Sequence, residues 1–252
     1  MKKINNYISL LLAVVAMLMF SLPVQASQMD ERIEATARNS YVFKTFLQND
    51  DIKIESIEGY VTLTGLVADN FNKSLAQETL AGIPGVRHVD NWLAVKSKPP
   101  TANSDAWIRD KVQDTLVFHR SVSGYKAEIS VKDGIVTLRG ETTSSAQKDL
   151  LTEYTKDVVG VKGVNNEMIV TKTANTKRTV GQKIDDASIT AQVKITLLYH
   201  RSTSAINTKV ETRDGNVTLY GKAGSAAEKD LATKFAGDVD GVNSVNNRMT
   251  IE

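Results

Sequence analysis

The 252-residue chain has no cysteine and only three histidines, His88, His119 and His200. Without cysteine no disulfide can staple the fold, so packing must hold it together. The residue types and spacings of a His–Cys–carboxylate metal site are also missing. A bacterial lipoprotein, which needs a lipid-modified cysteine behind its leader, is not expected either. Charge of one sign is equally scarce. The first 26 residues hold two of the 31 Lys and Arg and none of the 29 Asp and Glu, which leaves 29 of each in the remainder. A chain so balanced lacks the basic surplus of a generic nucleic-acid binder. It also lacks an interfacial amphipathic helix with a strongly basic face.

The longest apolar run, Ile8 to Phe20, follows Lys2 and Lys3 and precedes Val24-Gln25-Ala26. A basic start, a short apolar stretch and a small-x-small site describe a secretory leader. The run is too short for a stable membrane span. Cleavage is expected after Ala26, delivering the remainder to the periplasm.

One short stretch then occurs three times. It reads Glu58-Gly59-Tyr60-Val61-Thr62-Leu63-Thr64-Gly65, Asp133-Gly134-Ile135-Val136-Thr137-Leu138-Arg139-Gly140 and Asp214-Gly215-Asn216-Val217-Thr218-Leu219-Tyr220-Gly221. The acid-Gly pair predicts a tight turn, Val-x-Leu a strand with one buried face, and the second Gly the strand's end. Twenty-six residues beyond Gly59, Gly134 and Gly215 stand Gly85, Gly160 and Gly241, and six further on Asn91, Asn166 and Asn247. Identical spacing in triplicate makes the chain three copies of one unit. Each copy is small enough to be marginal alone and to lean on its neighbours.

Within a unit a first helix comes before the repeated hairpin. Its apolar stripe is Ile33, Ala37 and Tyr41 in the first unit, Ile108, Val112 and Leu116 in the second, and Ile189, Val193 and Leu197 in the third, with Ser104 and Asp185 as N-caps. A second helix follows the hairpin, opened by Ser144-x-x-Gln147 and Ser225-x-x-Glu228 capping boxes. Its stripes are Phe71, Leu75, Thr79 and Ile83; Ala146, Leu150, Tyr154 and Val158; and Ala227, Leu231, Phe235 and Val239. A third strand closes each unit. The fold class is therefore α+β: three tandem α-β-β-α-β units, each with two helices on one face of a three-stranded sheet. The expected division is a leader over 1–26, units over 29–96, 104–171 and 185–252, and linkers over 97–103 and 172–184. The first linker carries Pro99-Pro100, and the second is basic through Lys172, Lys177, Arg178 and Lys183.

Leu-x-x-His-Arg-Ser before the hairpin, Asp-Gly-x-Val-Thr-Leu-x-Gly within it and Gly-Val-x-x-Val-Asn-Asn after the second helix resemble the BON domain (bacterial OsmY and nodulation). Units two and three match closely. Unit one departs, with Lys44-Thr45 for His-Arg and Asp90-Asn91 for Asn-Asn. The resemblance covers nearly the whole mature chain. It implies a periplasmic protein of osmotic or other envelope stress that contacts phospholipid surfaces, or alternatively a periplasmic chaperone for outer-membrane or secreted proteins. It implies no catalytic residues.

The residues themselves point away from an enzyme. His119 and His200 share one repeat position, which homology explains better than a joint site. Gly215 to Lys222 has the wrong spacing for a phosphate loop, and Ala223 stands where Ser or Thr is required. No cofactor is expected. For His119, Arg120, His200 and Arg201 the simpler reading is that cations satisfy carbonyls at a helix C-terminus. The functional reading is a contact site for phospholipid headgroups. The expected partners are thus a membrane phospholipid surface or unfolded envelope proteins, and not nucleic acid.

Overall fold

A computed structural model describes residues 24–96, 100–122, 126–171, 183–203 and 208–252. Most of the expected leader, part of the first linker and nearly all of the second lie outside the described residues. The first unit comprises α1 (Val24–Asn39), α2 (Tyr41–Thr45), β1 (Asp51–Ile57), β2 (Tyr60–Val67), α3 (Asn70–Ala81), β3 (His88–Asn91) and β4 (Ala94–Val95). The second comprises α4 (Asp105–Leu116), a 3-10 turn (Arg120–Val122), β5 (Lys126–Lys132), β6 (Ile135–Thr142), α5 (Ser145–Lys156), β7 (Gly163–Asn166) and β8 (Ile169–Val170). The third comprises α6 (Asp186–Tyr199), β9 (Lys209–Arg213), β10 (Asn216–Tyr220), β11 (Lys222–Ala223), α7 (Ala226–Gly237), β12 (Ser244–Asn247) and β13 (Thr250–Ile251). The fold is α+β.

In each unit the second strand is central. It pairs antiparallel with the first and parallel with the last, so the second helix is the crossover between parallel neighbours. The hairpin turns have positive φ at both central residues: 52° and 81° at Glu58-Gly59, 54° and 82° at Asp133-Gly134, and 51° and 74° at Asp214-Gly215. This is the type I′ geometry that suits strand twist. An aspartate of each first helix holds the turn, the first residue of α4 and α6 and one within α1. Asp105 Oδ2 and Oδ1 accept from the N–H groups of Asp133 and Gly134 at 2.8 and 2.9 Å. Asp30 and Asp186 do the same for Glu58-Gly59 and Asp214-Gly215.

Two details differ from the sequence reading. The second glycine does not end the strand: β2 and β6 run through Gly65 and Gly140 to Val67 and Thr142. There it lets the paired backbone approach closely: a Cβ on Gly65 would stand 2.0 Å from the Asp51 carbonyl oxygen. Only in the third unit is the strand broken at Gly221, into β10 and β11. The last strand, expected to be continuous, is interrupted in every unit by the repeated asparagine. Asn166 Nδ2 donates to Lys148 O and Thr152 Oγ1, while its Oδ1 accepts from Met168 N. The loop thus formed drops Met168 into the core. Asn91 and Asn247 make the corresponding bonds.

The three units pack together. The core of the first contains Ala187, Ala191, Ile195 and Tyr199 of α6 and Phe118 of the second. Eleven of the fourteen residues of α6 are buried, because its two sides serve two units. The break between α1 and α2 belongs to this junction. Ser40 Oγ accepts from Phe43 N, and the freed N–H groups of Tyr41 and Val42 donate to Asp185 Oδ2 and Ser188 Oγ of the third unit at 2.7 and 3.1 Å. Lys194 pairs with Glu78 across it at 2.8 Å.

All three units meet around Asp114, where Asp69, Lys111 and Tyr199 converge. Lys111 Nζ lies 3.4 Å from the centre of the Tyr199 ring. Burial first, and then the negative charge of Asp69, push the Asp114 carboxyl up to about 7, against the pull of Lys111. A carboxyl raised in the folded state favours folding below its unfolded value and loses that advantage as pH rises through the folded one. Asp114→Asn is therefore expected to stabilise the protein at pH 8 by roughly 1–2 kcal/mol, less than the full shift because the side chain is partly solvated. At pH 4 the effect should vanish. Urea unfolding at the two pH values measures it, and equal effects at both would refute the account.

Candidate functional site: a buried histidine pair between units two and three

The Leu-x-x-His-Arg-Ser segments leave α4 and α6 and run across the neighbouring unit. Each inserts its histidine at the C-terminal end of the neighbour's second helix. Asp157 and Asp238 are the C-caps of α5 and α7. A carboxylate there opposes the helix dipole, so each unit alone presents a helix end that calls for a cation. His119 Nδ1 stands 3.1 Å from Asp238 Oδ2, and His200 Nδ1 stands 3.1 Å from Asp157 Oδ2. The two Nε2 atoms face one another at 2.8 Å. The result is a chain, Asp238–His119–His200–Asp157, in which both imidazoles are 0% exposed.

The surroundings repeat with the same two-fold logic. Ser121 and Ser202 donate through N–H and hydroxyl to Asp238 Oδ1 and Asp157 Oδ1. The Arg120 N–H donates to Asp238 O at 2.7 Å, and the Arg201 N–H to Asp157 O at 2.6 Å. The Arg120 guanidinium bonds Gly237 O, the last carbonyl of α7, and that of Arg201 bonds Lys156 O, the last of α5. Tyr154 stacks on His119 with ring centres 4.1 Å apart, and Phe235 stacks on His200 at 3.9 Å. The Tyr154 hydroxyl donates to Asp238 Oδ2. Burial and then the Asp238 charge push that phenol upward. Burial also acts to raise Asp157 and Asp238, but the hydrogen bonds from His200 and Ser202, and from His119, Ser121 and Tyr154, outweigh it and hold both below the ordinary carboxylate range. Burial lowers His200, opposed by its bond to Asp157.

The 2.8 Å separation of the two Nε2 atoms is a hydrogen-bond distance. Two nitrogens on one tetrahedral zinc, each about 2.0 Å from the ion, would lie ~3.3 Å apart. Among the described residues no group of three or more metal-ligating side chains is placed to hold an ion.

This arrangement corrects three expectations. His119 and His200 do form a joint site, although their shared repeat position argued otherwise. As placed, neither imidazole has surface to offer a lipid headgroup. Arg120 and Arg201 do satisfy helix carbonyls, as the simpler reading has it, but on the neighbouring unit's helix. The second-helix stripes also need adjusting. In α5 the buried positions are Gln147, Leu151 and Thr155, while Tyr154 faces the third unit. The first unit has none of the pairing set: Lys44, Gly82 and Thr79 stand where the others have His, Asp and an aromatic ring. That concerted loss is the sequence signal for the pair.

Tandem α+β repeats, two of them joined through their His-Arg-Ser segments, describe the chain. The BON domain model matches residues 29–97, 104–172 and 185–252, and the chain belongs to the BON domain family. It is similar to osmotically-inducible protein Y of Escherichia coli K12, 34% identical over 145 residues covering 57% of this chain and 70% of that protein. It is 31% identical to the outer membrane lipoprotein DolP of Haemophilus influenzae and 33% identical to a 21 kDa hemolysin of Actinobacillus pleuropneumoniae, each over 113 residues. Those two matches span 45% of this chain and 56%, little more than half, of either relative. Among solved structures, CdsD of the Chlamydia trachomatis type III secretion system overlays with a TM-score of 0.24 at 16% identity, covering 84% of this chain and 90% of that chain. So loose a likeness carries no argument.

Proposed function

We propose that this is a non-enzymatic periplasmic protein of envelope or osmotic stress, and that it associates with phospholipid surfaces through the outer sheet face of its first unit. One observation supports the surface. Ile57, Leu66 and Trp92 are exposed there, Trp92 to 73%. The same repeat positions carry Lys132, Glu141 and Glu167 in the second unit and Arg213, Lys222 and Arg248 in the third. Three positions charged in the other units are apolar in the first: Ile57 pairs with exposed Tyr60 at the turn end of the hairpin, and Leu66 and Trp92 lie toward its other end. Trp and Tyr favour boundaries where an apolar ring body meets a wet edge. The names of the relatives, an osmotically inducible protein and an outer membrane lipoprotein, agree with a role at the envelope.

The second reading, a chaperone that holds unfolded envelope proteins, draws on the same face. Asp51, Glu55 and Asp90 share it, which suits an apolar peptide better than an anionic membrane. Flotation with zwitterionic and anionic liposomes, at low and physiological salt, separates the two. The native chain should co-float at both salts, because apolar contact is not screened. The Ile57→Lys, Leu66→Glu, Trp92→Glu variant should lose about tenfold or more in binding, since one large side chain withdrawn from water contributes about 1.5–3 kcal/mol. Its stability should stay within about 0.5 kcal/mol. If the native chain stays unfloated but delays aggregation of an unfolded outer-membrane protein, and the variant does not, the chaperone reading replaces the lipid one. If neither activity appears, both readings fail.

A further inference from the structure

The buried histidine pair does more than join two units, because its geometry fixes how many protons it can hold. Each Nδ1–H donates to a carboxylate, and a 2.8 Å contact between two Nε2 atoms requires one proton between them. That makes three ring protons on four nitrogens. A fourth would aim two N–H groups at each other with no acceptor between them. We propose that this cluster is an acid-released lock: it holds the second and third units together near neutral pH and lets them part on acidification.

The groups around the pair do not relieve the conflict. From α5 come Asp157 and the Tyr154 phenol, and from α7 and its end Asp238 and Phe235. Both carboxylates are already engaged at Nδ1 and by the serines. Arg120 and Arg201 flank the pair as further positive charges, each bonded to helix-end carbonyls, and the Asp240 N–H is directed at Phe118 O. No carboxylate is directed at Nε2 among the described residues. The closed state therefore refuses the proton that two exposed imidazoles would accept. This matches the downward displacement of His200, caused first by burial. The sign follows. With three ring protons in the closed state and four on two exposed imidazolium rings, stability is greatest near the ordinary imidazole value of about 6.5 and drains away as pH falls from there toward the closed-state value; above it the closed pair must keep one proton more than two neutral imidazoles carry. One proton changes the open-to-closed ratio by roughly tenfold per pH unit across that window. Opening would uncover Tyr154, Phe235 and both imidazolium rings beside the two arginines.

Because the chain has no native cysteine, spin labels at Lys132→Cys and Arg213→Cys can report the distance between units two and three in the full chain. At pH 7.5 one narrow distribution is expected. At pH 5.0 a second, longer population should appear and grow by roughly tenfold per pH unit. His200→Gln, which can accept from His119 but cannot take a second proton, should show no such growth. Asp157→Asn keeps His200 while removing its carboxylate, and should shift the opening to higher pH. The same distribution at both pH values in the native chain would overturn the proposal. So would opening by His200→Gln with the native pH profile, or an unmoved midpoint in Asp157→Asn.

Discussion

Phe118→Ala is expected to cost about 3–5 kcal/mol of stability, the range for truncating a buried aromatic, and to fall chiefly on a unit to which Phe118 does not belong. Phe118 leaves α4 of the second unit, yet its ring lies within the first unit's core. It stacks on Phe71 with centres 5.5 Å apart and meets Phe46 edge-on at 5.3 Å. Removing it opens a cavity bounded by those two rings and by Tyr199, whose own contact with Phe71 is 6.2 Å. The Lys111, Asp114 and Asp69 junction also joins the first and second units, and the variant should loosen one from the other. The chain's two tryptophans make this measurable: Trp92 lies in the first unit and Trp107 in the second. With Trp107 replaced by Phe, Trp92 fluorescence follows the first unit alone. Urea unfolding should show that signal moving to lower denaturant ahead of the far-UV signal. A loss below about 1 kcal/mol, or coincident transitions with full cooperativity, would show that Phe118 does not couple the units.

The internal repeat makes the architecture of a single unit legible in the sequence. Once three Asp/Glu-Gly turns and three Asn positions fall into register, the hairpin, the two helices and the closing strand follow from periodicities of 2 and 3.6. Relations between units are harder to see. Tyr154 and Phe235 occupy positions that a helical stripe assigns to a core, and a stripe does not say whose core. Phe118 and Tyr199 hold the same repeat position, and nothing local to either motif says that both rings enter the first unit's core. The histidines are ambiguous for a physical reason: a solvated His-Arg pair and a buried one have the same sequence, and only Asp157 and Asp238, far along the chain, decide between them. What does mark them is a correlation within the chain. The two units that keep His also keep Asp 38 residues later, and the unit with Lys44 has Gly82 there. The aspartate clamps leave a trace of the same kind. Asp30, Asp105 and Asp186 each precede an acid-Gly turn by 28 residues, a spacing with no local meaning until the first helix is folded back over the hairpin.

The asparagine in the last strand yields the second large effect. Asn166→Ala should destabilise the protein by about 2–4 kcal/mol, through three lost hydrogen bonds at roughly 0.5–1.5 kcal/mol each and the cost of leaving the Met168 N–H without its acceptor. Asn166 Nδ2 reaches Lys148 O and Thr152 Oγ1 at 2.8 Å each, and the Met168 N–H reaches its Oδ1 at 3.0 Å. Lys148 Nζ then secures the displaced loop by donating to Met168 O at 2.7 Å. The interruption carries the side chain two residues beyond the asparagine into the core, Met168 here and Met249 in the third unit. In the first unit Leu93 fills that place, with Asn91 and Lys73 making the same bonds. Asn166→Asp separates hydrogen bonding from shape. It keeps the acceptor for Met168 and the side-chain outline, but at neutral pH it sets a carboxylate oxygen against the Lys148 carbonyl. Its deficit should match or exceed that of alanine at pH 7 and shrink at pH 4, where a protonated acid regains one donor. A deficit that stays constant with pH would mean that the asparagine acts only by filling space, and that the break in the strand has another cause.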